Sequence, residues 1–372
     1  MDARRRSGLA REFVGFLPRE DRRRHPTYWA ICRGIAADTH LLEMADLVPP
    51  PQFAVNVFLA SVHHLLLEGA DHQLASHYPS VCARRGVECT RVSDEQLTGA
   101  FASFCRAFRH EIAQRCATRA TQTNEVGRCA ILRAVLGSLH ARGDRTVSLL
   151  DLGCSAGLNL LLDEYACVYG DAEAGPSNAT VVLRCEIVGT LPELSIPAIE
   201  ARVGLDLAPI NVTDPDAVTW LLACLWPDDL ERFGRLERAV DVAIARRDEV
   251  VIVRGDMVDA LERAASSASS ATRLVVANCW SAAYLPEARR HELAARVASL
   301  ARTRPVTWVT MEGPRVARDL GVLAATASLV HRGASVVCVT EFADGEAHSS
   351  FVAETHGHGM WLDWHASSSL AG

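Results

Sequence analysis

The chain has 372 residues, of which 49% are hydrophobic and 22% charged, and its formal net charge at pH 7 is −7. This length and composition are typical of a globular enzyme with two domains or one elaborated domain. The acidic balance argues against binding of nucleic acid or of an anionic membrane surface. No apolar run reaches the roughly 20 residues that a membrane span needs.

The twelve cysteines indicate a reducing compartment. They are scattered from Cys32 to Cys338, with no C-x-x-C pair and no zinc-like cluster. The N-terminus carries basic residues, but the apolar segment of a signal peptide does not follow them. Because unpaired thiols in this number are typical of intracellular proteins, we expect the protein to be cytoplasmic.

Helical patterning dominates residues 1–122, which we predict to form a helical cap domain. Residues 53–67 are apolar almost all round and predict a buried helix. Ser93 and Gln96 form a capping box that opens an amphipathic helix predicted over residues 93–119. A histidine-rich loop that contains His72 lies between these helices. Its spacing matches no metal-ligand pattern, so we predict no metal site; His72 either contacts substrate or is an ordinary surface histidine.

The chain is organised around residues 146–165, TVSLLDLGCSAGLNLLLDEY. An apolar run over residues 147–152 predicts a buried parallel strand. A turn of small residues, 153–157, follows, and helical spacing resumes at Leu158. Such a strand, turn and helix would place unpaired N–H groups beside glycines that a ligand can approach closely. We therefore predict a nucleotide-type binding site at this turn.

The turn sequence LDLGCSAG resembles the first motif of class I S-adenosylmethionine (SAM) dependent methyltransferases. The resemblance implies that SAM is the cofactor and that the turn passes under its methionine and ribose. The matching positions are Asp151, Gly153, Ser155 and Gly157, and Asn159 stands where the fullest pattern has a third glycine.

The same letters also match G-x-S-x-G, the nucleophile elbow of α/β-hydrolases, with Ser155 as the nucleophile. The chain order of such a triad is available, with Asp319, Glu341 or Asp344 as the acid and His356 or His358 as the base. We prefer the methyltransferase interpretation because nothing in a nucleophile elbow requires a carboxylate at position 151.

A helix predicted from Asn124 to His140 leads directly into the central strand. In the SAM fold a helix at this place commonly flanks the ligand, which makes Asn124, Glu125 and Arg128 candidate pocket residues. The alternative is a capped helix start with an internal pair between Glu125 and Arg128.

Two acidic residues are candidates for binding the ribose hydroxyls. Residues 181–188 and 201–207 predict strands, and the sequence GLDLAP at the end of the second run resembles the end of the second strand in methyltransferases. Asp206 and Glu186 both lie further from the glycine-rich turn than the usual spacing of about 20 residues. We favour Asp206 on its local motif. Residues 211–247 then form a helical insertion that could act as a lid.

The remaining strands, over residues 250–253, 274–279 and 306–310, complete a parallel sheet. Asp256 follows the first of them and resembles the methyltransferase residue that accepts from the adenine amino group; a helix cap is the plainer interpretation. Tyr284 and Glu312 follow the other two, at the edge where ligands bind in such sheets. The candidates for a catalytic base are Glu312, His72 and Tyr284.

These patterns predict a Rossmann-like methyltransferase sandwich over residues 123–372, mostly parallel and closed by an antiparallel hairpin at residues 335–342 and 349–356. The whole chain, including GADH, HYPS and TNEVGRCA, also resembles an actinobacterial protein family of unknown function. We therefore expect a SAM-dependent methyltransferase acting on a small molecule, such as a secondary metabolite. The alternatives are a serine hydrolase and a non-methylating subunit of a biosynthetic complex; a protein partner or a homo-oligomer stays open.

Overall fold

The computed structural model describes residues 2–16, 22–50, 52–343 and 346–365. The chain divides into two compact units. We call Met1–Thr123 with Thr213–Glu237 the helical unit, and Asn124–Val212 with Arg238–Gly372 the sheet unit. Most of the segment that the sequence analysis treated as an insertion in the second domain thus falls in the helical unit. No helix within the described ranges combines the length and the apolar character that crossing a membrane requires.

The α-helices in the described ranges are α1 (Ala3–Phe16), α2 (Pro26–Ala37), α3 (Thr39–Ala45), α4 (Ala54–Leu67), α5 (Pro79–Arg85), α6 (Asp94–Ala107), α7 (Arg109–Thr118), α8 (Arg128–Ala141), α9 (Pro215–Ala223), α10 (Leu230–Ala245), α11 (Leu261–Ser266), α12 (Glu287–Leu300) and α13 (Pro314–Asp319). Short 3-10 helices cover Gln73–His77, Leu158–Glu164, Arg247–Glu249 and Ala282–Tyr284.

The strands in the same ranges are β1 (Thr146–Leu152), β2 (Ala166–Tyr169), β3 (Ala172–Ala174), β4 (Val182–Arg184), β5 (Glu186–Gly189), β6 (Ala198–Asp206), β7 (Val250–Arg254), β8 (Arg273–Cys279), β9 (Val306–Glu312), β10 (Ser335–Ala343), β11 (Glu346–Thr355) and β12 (Trp361–Trp364). In the described chain they form a nine-stranded sheet, ordered β5-β12-β11-β10-β9-β8-β1-β6-β7, and a small sheet ordered β3-β2-β4.

The centre of the large sheet is parallel and buried. Strands β7, β6, β1, β8 and β9 pair in parallel in that order. Almost every residue of β1, β8 and β9 is buried, as expected for strands covered on both faces. Side chains from α11, α12 and α13 share one apolar cluster with these strands. The carboxyl ends of all five strands therefore meet at one edge of the sheet.

The C-terminal part of the sheet is antiparallel. The predicted hairpin is present as β10 and β11, and β10 also pairs antiparallel with β9. The sheet continues beyond the prediction, since β12 pairs with β11 and β5 pairs in parallel with β12. The fold is thus a mixed α/β arrangement around a large, mostly parallel sheet.

Three predicted elements are interrupted. The strand predicted over residues 181–188 is divided at Cys185, so that β4 joins the small sheet and β5 lies at the far edge of the large one. The helix predicted over residues 93–119 breaks at Phe108, whose backbone leaves the helical conformation while its ring stacks on Phe104. After the central turn the chain forms a 3-10 helix, with a non-helical residue at Leu161, rather than an α-helix.

The segment Thr213–Glu237 contributes to the core of the helical unit. Trp220 is almost fully buried among the apolar side chains of this unit, and its indole N–H donates to the carbonyl oxygen of Ala120 (2.9 Å). Asp228 accepts hydrogen bonds from the hydroxyl (2.7 Å) and the N–H (3.2 Å) of Thr27 at the start of α2. Trp220 and Asp228 therefore tie this segment to the rest of the helical unit.

Candidate functional site

The predicted site residues of the sheet unit lie mainly at the carboxyl edge of the parallel strands. Asp151 is the penultimate residue of β1 and pairs with Gly204 of β6 and Ala277 of β8. Asp206 ends β6 and Glu312 ends β9. Because neighbouring parallel strands end side by side, three acidic residues that are far apart in sequence come to one edge.

The glycine-rich turn, residues 153–157, adopts the left-handed conformations that its sequence suggests. The φ angles are +75° at Gly153 and +73° at Gly157, which favour glycine. A Cβ at Gly153 would lie 2.4 Å from Cβ of Ser281. The close approach that this glycine permits is therefore used by Ser281, which belongs to the loop after β8.

The N–H groups of the turn all have acceptors within the protein. The N–H of Ser155 donates to Oδ2 of Asp206 (2.8 Å). Oδ1 of Asn124 accepts from the N–H groups of Ala156 (3.2 Å) and Leu158 (3.1 Å). The remaining N–H groups donate to backbone carbonyl oxygens. Those of Gly153 and Cys154 donate to Leu205, and that of Gly157 donates to Cys154.

This bonding corrects one expectation from the sequence. A phosphate-binding turn presents unpaired N–H groups at the start of an α-helix. Here those groups are satisfied, and the helix that follows is a 3-10 helix of seven residues. The turn is therefore poorly suited to a phosphate, and its two side-chain acceptors, Asn124 and Asp206, hold its shape.

The structure separates the two candidate ribose acids. Asp206 accepts from the N–H of Ser155 through Oδ2 and from that of Ala208 through Oδ1 (2.8 Å each), which places it against the turn. Glu186 is exposed on β5, which pairs with β12 at the opposite edge of the sheet from β7. Glu186 is therefore not brought to the turn, because strand pairing takes its segment to the other end of the sheet.

Asp151 is a buried carboxyl group with an oxygen that has no partner among the described residues. Its side chain is 4% exposed, and Oδ2 receives no hydrogen bond there. Burial raises the pKa of Asp151 from 3.8 to about 7, and the negative charge of Asp206 adds to this shift, whereas Arg128 opposes it. Near neutral pH the carboxyl group of Asp151 is therefore partly protonated and partly ionised.

Glu312 has a similar character at the end of β9. Its Oε1 accepts from Nδ2 of Asn278 (2.9 Å) and from the N–H groups of Ser281 (3.0 Å) and Ala282 (2.9 Å). Oε2 has no partner among the described residues, and the side chain is fully buried. Burial raises the pKa of Glu312 to about 7, against the effect of these hydrogen bonds.

Arg128 and Asn159 are both held by the protein. Arg128 donates from Nε to the carbonyl oxygen of Gly357 (2.9 Å) and from Nη1 to that of Cys279 (2.8 Å). Its charge lowers the pKa of both buried acids as a lesser cause. Asn159 is buried, and its Oδ1 accepts from Sγ of Cys129 (3.3 Å).

The remaining predicted residues have different surroundings. Asp256 accepts from the N–H groups of Val258 and Asp259 in the turn before α11, and its carboxylate also pairs with Arg289 (2.7 Å). The N-cap position of α11 is Ala260, so Asp256 does not cap that helix. Tyr284 is 65% exposed in a 3-10 helix of the sheet unit. His72 belongs to the helical unit, where its Nδ1 accepts from the N–H of Leu74 (3.1 Å) and caps a 3-10 helix.

Trp280 follows β8 at the same edge of the sheet and is not among the candidates named from the sequence. It has a φ of +59°, an uncommon conformation for a bulky residue. Its N–H donates to the carbonyl oxygen of Met311 (2.9 Å) and its indole N–H to Oγ of Ser335 (2.8 Å), while the residue stays 38% exposed. A strained and firmly held aromatic ring at this edge is a feature of functional sites. Only its place after β8 could have indicated it.

Two of the three acids proposed for the hydrolase triad, Asp319 and Glu341, are paired with arginines. Arg290 donates to Asp319 (2.6 Å), and Arg142 binds both oxygens of Glu341 (2.7 and 2.9 Å). Asp344 lies outside the described residues. Nδ1 of His356 accepts from the N–H of His358 (3.1 Å). Ser155 has a φ of +53°, in keeping with the strained serine of a nucleophile elbow.

Two of the histidines near the predicted loop are core residues of the helical unit. His63 is fully buried and contacts Oγ of Ser80 (2.7 Å). His64 lies with Glu68 and Asp216 in a group that could hold a metal ion. Arg115 and Arg119 pair with these two carboxylates, and their positive charges oppose a cation.

Comparison with known proteins gives one assignment. No curated protein matches the chain. The model of a family described as an uncharacterized protein conserved in bacteria (DUF2332) matches residues 10–364, which include most of both units and every candidate site residue. The chain therefore belongs to this conserved bacterial family.

Proposed function

We propose that the sheet unit is a Rossmann-like SAM-binding fold and that the protein transfers a methyl group to a small molecule. The observation that carries this proposal is the buried carboxyl oxygen Oδ2 of Asp151, which has no partner in the described part of the chain. It lies beside a glycine-rich turn that Asp206 holds from the next strand. The parallel strands, numbered along the chain, stand in the order 3-2-1-4-5, as in nucleotide-binding sheets.

The chemistry of the edge suits SAM better than a dinucleotide. A dinucleotide needs N–H groups for its pyrophosphate, and those of residues 153–158 are used within the protein. SAM carries an ammonium and a sulfonium group and no phosphate. Asp151 and Glu312 each offer a buried acceptor oxygen, and hydrogen bonds from a charged donor to such oxygens are among the stronger ones.

The residues at the edge can be given separate tasks. When bound, SAM supplies an electrophilic methyl group. Asp151 would accept from the cationic end of the ligand, and Asp206 would orient the turn and meet the ribose. Glu312 can take up a proton at Oε2, because its pKa of about 7 suits a base at neutral pH. Positioning then accounts for much of the rate of an in-line displacement.

Calorimetric titration of the purified protein with SAM and with S-adenosylhomocysteine tests the proposal. We expect micromolar binding of at least one of them, with inorganic pyrophosphate as a ligand that does not bind. Glu186→Gln is the matched control variant, because this acid lies at the other edge of the sheet and its loss should leave the affinity unchanged. No binding of either nucleoside would contradict the proposal.

A serine hydrolase is the second candidate, favoured by the positive φ of Ser155. A fluorophosphonate probe should then label the protein, and Ser155→Ala should abolish the labelling and lower hydrolysis by orders of magnitude. If the methyltransferase proposal holds, the probe does not react. Ser155→Ala then keeps most of the affinity for SAM, since Asp206 accepts from the backbone N–H of residue 155, which the substitution retains. If SAM does not bind and the probe does not label the protein, the results would favour a role as a non-catalytic subunit of a complex.

A further inference from the structure

The end of helix α5 brings Cys82 and Cys89 together. Gly86 follows the helix in the left-handed conformation, with a φ of +66°. The N–H of Val87 donates to the carbonyl oxygen of Cys82 (3.0 Å), and the N–H of Gly86 donates to that of Ala83 (3.1 Å). These two bonds form a Schellman motif, which reverses the direction of the chain. Cys89 therefore returns to the part of α5 that carries Cys82.

The two sulfur atoms are in contact and share an acceptor. Sγ of Cys82 lies 3.0 Å from Sγ of Cys89, and the carbonyl oxygen of Ser76 lies 3.4 and 3.3 Å from them. The N–H of Thr90 donates to the same oxygen (2.8 Å) and holds the returning segment in place. Cys82 is buried, whereas Cys89 is partly exposed. An oxidant in solution can thus reach one sulfur while the other lies beside it.

We propose that Cys82 and Cys89 form an oxidation site, which a peroxide converts to an intramolecular disulfide. The thiolate of Cys89 attacks one peroxide oxygen, the O–O bond breaks, and Cys89 becomes a sulfenic acid while the other oxygen takes up a proton and leaves as water. Sγ of Cys82 then attacks the sulfenic sulfur, loses its proton and displaces the second oxygen as water. Two thiols lose two electrons, and one hydrogen peroxide becomes two waters.

The disulfide ties the last turn of α5 to the segment after Gly86. Burial, and then the hydrogen bond with Cys82, raises the pKa of Cys89 above its ordinary value. Because the thiolate is the reactive form, oxidation becomes faster as the pH rises, by about tenfold per unit below that pKa. This site lies within the helical unit and does not depend on the SAM proposal.

The test treats the reduced full chain with hydrogen peroxide at alkaline pH and digests it with trypsin. Trypsin cleaves after Arg84 and Arg85, which lie between the two cysteines, so only the disulfide joins the resulting peptides. We expect mass spectrometry to find them as one species, lighter than their sum by two hydrogen atoms and separable by reduction. Cys89→Ser should abolish this species. Cys224→Ser, at the other partly exposed cysteine, should keep it.

A second measurement follows the melting temperature. The closed loop restricts the unfolded chain, so peroxide should raise the melting temperature of the helical unit by several degrees in the wild type and not in Cys89→Ser. Oxidation of Cys89 to a sulfinic acid without joined peptides would overturn the proposal. A disulfide from either cysteine to a different cysteine, or between two chains, would overturn it as well.

Discussion

Replacing Asp151 with asparagine is expected to stabilise the ligand-free protein at pH 8 while weakening SAM binding by at least about tenfold. Burial, and then the charge of Asp206, raises the pKa of Asp151 from 3.8 to about 7 in the folded protein. The folded state therefore holds a proton that the unfolded chain releases between these values. Stability from this group is fully present below pH about 4 and falls as the pH rises to about 7.

At pH 8 the carboxylate of Asp151 is ionised, and burying this charge lowers the free energy of unfolding. Asparagine is neutral and removes this unfavourable contribution. We expect a gain of about 1–3 kcal/mol in the free energy of unfolding at this pH, and little gain at pH 5. Glu312 has its own raised pKa and should leave part of the pH dependence in the variant. A buried charge kept at such a cost is typical of a group retained for function.

Urea denaturation of the wild type and of Asp151→Asn at several pH values from 5 to 9, together with SAM titration, measures both effects. Glu186→Gln serves as the control for losing an exposed carboxylate and should change neither quantity. A variant that is destabilised equally at every pH would show that Asp151 has a structural role. Unchanged SAM affinity would show that the carboxylate does not meet the ligand.

Replacing Gly137 with alanine is expected to destabilise the protein by about 3 kcal/mol or more. Gly137 lies in the middle of α8, where alanine would normally stabilise a helix by about 1 kcal/mol. A Cβ at this position would lie 1.8 Å from the carbonyl oxygen of Glu193 and 2.6 Å from its carbonyl carbon. The segment between β5 and β6 crosses α8 at this glycine, and its backbone cannot move aside as a flexible side chain would.

Chemical denaturation of Gly137→Ala checks this expectation, with Gly99→Ala as the matched control. Gly99 also lies inside a helix, α6, but it is exposed, and a Cβ there would meet no atom within 4 Å. We expect Gly99→Ala to raise stability by up to about 1 kcal/mol. If both variants were equally stable, the crossing segment would not be packed against α8 as described.

Local patterns predicted much of the sheet and several helix boundaries. The apolar runs of β1, β8 and β9 are long and uninterrupted, so their burial in a parallel sheet could be predicted from composition. The capping box of Ser93 and Gln96 is present at the start of α6, because it depends on residues three positions apart. The C-terminal hairpin could be predicted for the same reason, because the alternating side-chain pattern of its strands involves neighbouring residues only.

The candidate site was predictable only in part. The sequence indicated the turn at residues 153–157 and the acids Asp151 and Asp206, because each lies at or directly after the carboxyl end of an apolar strand. It did not indicate Trp280 or Ser281, since nothing in their local pattern shows a strained backbone or a contact with Gly153. It favoured Asp206 over Glu186 on a local motif alone, since the strand pairing that carries them to different parts of the sheet leaves no local signal.

By itself, then, the sequence determined the buried strands, the glycine-rich turn and the acidic residues at the strand ends, because these follow from the polarity of adjacent residues. The tertiary structure alone decided that Asn124 and Asp206 occupy the N–H groups of the turn and that Glu186 lies at the other edge of the sheet. It also decided that two carboxyl groups are buried deeply enough to titrate near pH 7. Hydrogen bonds and desolvation of this kind depend on segments that are distant in the chain, and no local pattern records them.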